Sequence, residues 1–391
     1  MEKSYISRIV KEMPDSGIKD FFDVANSLDG ALSLGVGEPD FATPEHVRRA
    51  AVESIQRAET KYTDNRGMVE LRRAVADYLA KFDLHYQGEN EILITMGASE
   101  GIDLALRTLL NPGDEALVVT PCYVSYEPCV ELCGGVPVLL ETKESNGFRL
   151  TAEEFFAKIT EKTKALLMSF PNNPTGAIME REDLEAIAEI AREHDIFVIS
   201  DEIYAELTYG KKHVSIASLP GMRERTLVLN GFSKAFAMTG WRLGFAAGPG
   251  DVIFHMNKIH QFTTMSAGTT SQYAALEALT APVRDKEIAL MREEYDKRRR
   301  MMVKGFLDMG LKLAVPEGAF YVFPSIADTG LNSQEFCREL LADQKVAVIP
   351  GDAFGTCGDG YIRCSYAYSQ EVIAECLEKI GVFVRKRMQM L

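Results

Sequence analysis

The stretch from Asn230 to Gly244 holds a lone lysine, Lys234, in a turn of small residues directly after the apolar run Thr226 to Leu229. An arginine, Arg242, follows in a segment bracketed by Gly240 and Gly244. An ammonium among apolar neighbours loses its solvation, which favours the neutral amine. A neutral amine is the nucleophile that condenses with an aldehyde to give a Schiff base. Arg242 is permanently charged and forked, the geometry that suits a phosphate. An amine and an anion clamp this close together point to an aldehyde that carries a phosphate, namely pyridoxal phosphate. Taken alone, the same stretch is also compatible with a surface lysine and a structural arginine.

Three further turns fall where strands are expected to end. Gly97-Ala98-Ser99 opens a helix, so backbone N–H groups and the Ser99 hydroxyl can meet an anion at the positive helix end. Residues 97–101 also spell Gly-x-Ser-x-Gly, the nucleophile elbow of serine hydrolases. That chemistry needs a histidine on a late loop, and the last of His46, His85, His194, His213, His255 and His260 lies in a helical stretch. Neither Gly-x-Gly-x-x-Gly nor a Gly-Lys-Ser/Thr nucleotide loop is present. The second turn, Phe170 to Gly176, contains Asn173 held by Pro174, an amide able to donate to a ring oxygen. The third, Ser200 to Tyr204, places Asp201 at a strand end. There it either caps a following helix or pairs with a protonated pyridine nitrogen and keeps the ring electron-accepting. Tyr204, one helical turn on, is a second donor to the ring oxygen.

These turns need a scaffold. Apolar runs at Ile92–Thr95, Ala116–Val119, Val136–Leu139, Ala165–Ser169, Phe197–Ser200, Thr226–Leu229 and Gly244–Ala247 alternate with amphipathic segments. The alternation predicts an α/β layer fold with a mostly parallel sheet and ligands at the carboxyl ends of its strands. Thr43-Pro44 predicts a helix start, with Thr43 as cap. The C-terminal third mixes short strands with helices and predicts a smaller α+β domain. The length of 391 residues agrees with two domains. A net charge of −14 argues against a nucleic-acid partner, and Lys297 to Arg300 reads as a solvated helix face. No apolar run is long enough to span a membrane. The seven cysteines include no Cys-x-x-Cys pair and have no histidine at metal-ligand spacing. Reduced thiols in a cytoplasmic protein, with no metal site, are expected.

With these residues in place, the chain resembles the class I aminotransferases of the aspartate-aminotransferase family, which are fold-type-I pyridoxal-phosphate enzymes. The likeness runs from Gly35-Val36-Gly37-Glu38-Pro39-Asp40-Phe41 to Ile362-Arg363-Cys364-Ser365. It implies a large cofactor domain over residues 46–284, with a seven-stranded, mostly parallel sheet. It also implies a small domain built from residues 1–45 and 285–391. Lys234 matches the Schiff-base lysine that also moves the substrate proton, and Asp201 the partner of the pyridine nitrogen. Tyr204 and Asn173 match the ring-oxygen donors, and Tyr123 the aromatic residue stacked on the ring. Ala98, Ser99 and Arg242 match the phosphate cradle. Tyr62 matches the tyrosine that reaches the neighbouring subunit's phosphate, which implies a homodimer with shared sites. Arg363, with Gly37 and Asn173, matches the grip on the substrate α-carboxylate, and Ile18, Tyr123 and Phe320 match the side-chain pocket.

The implied reaction is ping-pong transfer of an amino group from an L-amino acid to a 2-oxo acid. Two departures stand out. Many relatives carry serine where this chain has Gly231, so a phosphate donor is missing or replaced by Ser233. Some aspartate-specific relatives carry lysine in place of Ser99. Stretches such as Ser200 to Tyr209 and Gly318 to Pro324 look closest to a bacterial subgroup of aromatic and N-acetyl-diaminopimelate aminotransferases. A pyridoxal-phosphate C–S β-lyase is the alternative on the same cofactor grip, and a serine hydrolase using Ser99 a remote one.

Overall fold

The computed structural model describes residues 5–14 and 30–390. Ile18, named above as part of the side-chain pocket, lies outside the described residues. In chain order the strands are β1 (Leu32–Ser33), β2 (Ile92–Thr95), β3 (Glu115–Thr120), β4 (Val136–Glu141), β5 (Thr163–Ser169) and β6 (Phe197–Asp201). They continue with β7 (Thr226–Gly231), β8 (Gly244–Ala247), β9 (Tyr321–Val322), β10 (Val346–Ala347), β11 (Ile349–Pro350) and β12 (Ile362–Ser365).

The central sheet has seven strands in the order β2-β8-β7-β6-β5-β3-β4. Only β8 runs against the rest, pairing antiparallel with both β2 and β7. Alternate residues of one strand feed different cores, as the two-residue period of a strand demands. Ile92, Ile94 and Val228 pack with Leu71 and Val75 of the helix Val69–Leu79 and with Ala274 of the helix Thr269–Thr280. Leu93, Leu227 and Leu229 pack on the other side with Ile102 and Leu106 of the helix Gly97–Leu109, and with Ile253 and Met256 of Gly250–Thr263. Both sheet faces are therefore covered, which is why these strands read as unbroken apolar runs.

A second region gathers the chain ends. β11, β12 and β9 form an antiparallel sheet, and β1 pairs in parallel with β10. The helices Arg284–Asp308 and Gln370–Met388 supply Met302, Phe306, Ile380 and Phe383 to the core beneath. The Leu34 N–H donates to Ala347 O (2.9 Å) and the Ser365 N–H to Leu34 O (2.7 Å). Those two bonds bring the residues after β1 alongside β12, and so Gly35 and Gly37 beside Arg363.

Three local expectations are corrected. Thr43 does not cap the helix Glu45–Gln56; its hydroxyl donates to Ala237 O (2.6 Å) and accepts from Trp241 Nε1 (3.0 Å), so it braces the lysine loop instead. Lys297 to Arg300 is not wholly a solvated face, because Arg298 is buried and paired with both oxygens of Asp40 (2.9 and 2.8 Å). No helix follows Asp201; its Oδ1 accepts from the Ile203 N–H (3.1 Å), closing a turn. All seven cysteines are free. Among the described residues no helix is long and apolar enough to cross a membrane, and no cluster of three potential metal ligands occurs.

Candidate active site

The carboxyl ends of β2, β3, β5, β6 and β7 lie along one edge of the sheet, and β8 starts there because Gly244 sits opposite Gly231. A cavity of about 320 Å³ opens at this edge. Gly37, Ala98, Ser99, Tyr123, Asn173, Asp201, Tyr204, Ser233, Lys234, Arg242 and Arg363 all border it. Residues that span most of the sequence are thus brought to one place by strand order.

Lys234 follows β7 in the turn that Thr43 braces, and its Nζ donates to Gly37 O (2.5 Å). Its amine is pushed down to about 8, first by burial, then by the charge of Arg363, with Arg242 adding to this and Glu38 and Asp201 opposing it. Asp201, at the end of β6, is pushed up to about 6, chiefly by burial and further by the neighbouring charge of Glu202. Hydrogen bonds from the Tyr126 hydroxyl (2.8 Å) and the Ile203 N–H act the other way. A cationic ring nitrogen at Asp201 would restore the carboxylate to its charged form by direct attraction.

The anion end of the cavity is built by the helix Gly97–Leu109 and by Arg242. No side chain caps this helix, so its first N–H groups and its dipole face the cavity. Arg242 adopts a left-handed backbone (φ 51°), uncommon for a residue with a Cβ. Its Nη1 donates to Thr239 O (3.0 Å), and its Nη2 lies where a Cβ on Gly97 would come within 3.0 Å. Gly97 therefore lets the guanidinium lie across the helix end.

At the opposite end Arg363 is buried; it donates from Nη1 to Asn173 Oδ1 (2.9 Å) and from Nη2 to Gly35 O (2.5 Å). Its guanidinium faces the rings of Tyr321 (4.6 Å) and Phe354 (4.7 Å). Its Nε is buried with no hydrogen-bond partner among the described residues. Because Asn173 Oδ1 is taken by Arg363, only the amide N–H₂ remains to donate into the cavity.

Gly231 also has a physical reason. A Cβ there would lie 2.8 Å from Gly244 Cα and 3.0 Å from Leu243 O, both backbone atoms of the neighbouring strand end. A serine does not fit that contact, and the nearby hydroxyl that borders the cavity belongs to Ser233.

Two predicted site residues lie elsewhere. Phe320 is fully buried and does not border the cavity; its ring packs edge-on against Tyr204 (5.3 Å, 88°). Its neighbour Tyr321, the first residue of β9, borders the cavity instead. Tyr62 is 79% exposed and outside the cavity of its own chain. The sequence reading also passed over Glu38, Tyr126 and Thr239, which border the cavity. The tyrosine spacing Tyr123-x-x-Tyr126 was the available signal for one of them. The hydrolase arrangement is not assembled: His260 bonds to Glu100 (2.8 Å), and no histidine among the described residues hydrogen-bonds Ser99.

A partly buried lysine of lowered basicity, a buried aspartate and an uncapped helix end crossed by an arginine are the donor set that pyridoxal phosphate requires. The residues therefore fit that group. A family model described as "Aminotransferase class I and II" matches residues 29–380, and the chain belongs to this family. It is 49% identical over 98% of its length to a putative aminotransferase, YugH, of Bacillus subtilis, covering 99% of that protein. An aspartate aminotransferase of Pyrococcus abyssi is 46% identical, with 95% of this chain and 96% of that protein covered. The crystal structure of an aromatic aminotransferase from Pyrococcus horikoshii superposes with a TM-score of 0.90 at 44% identity, covering 95% of this chain and 99% of that one. The chain is an aminotransferase of the α/β architecture expected from its sequence.

Proposed function

We propose that the protein transfers an amino group from an L-amino acid to a 2-oxo acid by a ping-pong reaction that depends on pyridoxal phosphate, with Lys234 as the Schiff-base residue and proton carrier. The observation that carries this is the gathering of Lys234, Asp201, Arg242 and Arg363 around one cavity. Bound there, the cofactor supplies an aldehyde for amines to condense with and a ring that draws electrons from the substrate α-carbon. Arg242, Ser99, Ala98 and Ser233 would hold the phosphate, Asp201 the ring nitrogen, and Tyr204 and Asn173 would donate to the ring oxygen. Tyr123 would cover the ring face. Arg363 receives the substrate carboxylate bidentately, and Gly37 O holds the Lys234 amine when it is free. The Lys234 amine would take the substrate α-proton and pass it on, a transfer typically worth ~10²–10⁴ in rate.

Among the described residues of one protomer the cations bordering the cavity are Lys234, Arg242 and Arg363, all assigned above. A substrate with a second carboxylate therefore needs a cation from outside this set. Specificity lies among aromatic, aspartate and N-acetyl-diaminopimelate substrates. The reading includes a homodimer in which Tyr62 serves the neighbouring site; its surface position leaves it free to do so. The test is a half-reaction panel on the protein loaded with pyridoxal phosphate. One or more amino acids should convert its visible band to that of the amine form, and a 2-oxo acid should restore it. No response from any amino acid would overturn the proposal, as would a protein that stays colourless with added cofactor.

A further inference from the structure

Tyr204 and Tyr321 meet hydroxyl to hydroxyl at 2.8 Å, both buried, and neither hydroxyl has another hydrogen-bond partner among the described residues. Burial pushes both phenols up, so each keeps its single proton at neutral pH. One tyrosine must donate and the other accept. If Tyr204 gives its proton to a ring oxygen in the cavity, it can only accept from Tyr321. We propose that Tyr321 is the positioning residue for Tyr204, donating to its oxygen so that the Tyr204 proton is turned toward the cofactor. This rests on the pyridoxal-phosphate reading above.

The surroundings hold Tyr321 to that role. Phe320 packs against both rings (5.3 Å to Tyr204, 4.8 Å to Tyr321), and Arg363 lies 4.6 Å from the Tyr321 ring centre. A Cβ on Gly37 would come within 2.5 Å of the Tyr321 oxygen, so the glycine leaves the space in which that hydroxyl sits. Tyr321 pairs with Ser365 across β9 and β12, the strand that carries Arg363. One residue thus connects the ring-oxygen donor, the carboxylate arginine and the glycine that holds Lys234.

A donated hydrogen bond makes Tyr204 a stronger donor in turn. A stronger donor at the ring oxygen stabilises its negative charge and weakens the hold on the proton of the lysine adduct. The test is a pH titration of the adduct's visible band in the loaded protein for wild type, Tyr321→Phe, Tyr204→Phe and the double variant. Tyr321→Phe should raise the midpoint by about 0.3–1 pH unit, the size of one neutral hydrogen bond. Tyr204→Phe should raise it further. The double variant should match Tyr204→Phe alone, because Tyr321 acts through Tyr204.

A Tyr321→Phe midpoint equal to wild type, or additive effects in the double variant, overturns the inference while leaving the cofactor reading intact. A wild type with no titrating band removes both. Tyr321→Phe keeps the ring, and circular dichroism checks its fold. Should it fail to fold, Gly37→Ala, whose methyl displaces the Tyr321 hydroxyl, must move the midpoint the same way, and no movement counts against the inference.

Discussion

Lys234 offers a direct test of whether burial sets the reactivity of the site. Its amine stands at about 8 against an ordinary 10.5, with burial the first cause and Arg363 the second. At pH 7.5 a midpoint of 8 leaves roughly a quarter of the amine neutral, while a midpoint of 10.5 leaves about one part in a thousand. Trace acylation of the cofactor-free protein with an amine-selective reagent, read peptide by peptide in a mass spectrometer, gives the titration curve of each lysine. The Lys234 curve should turn near pH 8. Arg363→Gln should move the Lys234 midpoint up, because it removes a repelling charge, and Asp201→Asn should move it down. A Lys234 midpoint above about 10 would refute the argument that burial frees the amine. The linked stability has a definite sign. The unfolded chain binds more protons than the native one between the two values, so the penalty is full below about 8 and disappears as pH rises through 10.5. Lys234→Met should therefore stabilise the cofactor-free protein at pH 7, by at most about 3 kcal/mol in urea unfolding.

Asp201 runs the opposite way on the pH axis: with its carboxyl near 6 in the native state against an ordinary 3.8, stability falls as pH rises between those values. Asp201→Asn should raise the thermal midpoint of the cofactor-free protein at pH 7 and flatten that pH dependence, while the loaded protein loses its amino-acid response. Gly231→Ser, which would supply the hydroxyl many relatives carry, should not tighten cofactor binding in a fluorescence titration. Its Cβ meets Gly244 Cα at 2.8 Å, and the overpacking should cost about 1–3 kcal/mol of stability. Asp40→Asn removes the two-point pairing with buried Arg298, leaving Glu294 (3.0 Å) as its remaining carboxylate. Since Asp40 is partly exposed, a loss of about 1–3 kcal/mol in chemical unfolding is expected, below that of a fully buried pair.

Much of this was visible in the linear chain because it follows from local rules. Strands buried on both faces must be apolar throughout, so most runs of the central sheet announced themselves, and the turns after them held charged residues at the strand ends where such a sheet keeps its ligands. Lys234, Asp201 and Arg242 were legible for that reason. Gly231 was legible only as a departure, since the atoms that forbid a side chain there, Gly244 Cα and Leu243 O, belong to another strand end. Thr43 misled because its cap signal is local, whereas its actual partners, Ala237 and Trp241, are long-range.

What the sequence determined by itself was therefore the chemistry: which residue types stand at which strand ends, and so which cofactor they suit. What tertiary structure alone decided was which of two adjacent aromatic residues faces the cavity, Tyr321 rather than Phe320. It also decided that Asn173 spends its oxygen on Arg363, and that Arg298 is buried against Asp40. Each of these depends on which distant segment packing brings against the residue. Residue type and spacing constrain that choice, but only the docking of distant segments completes it.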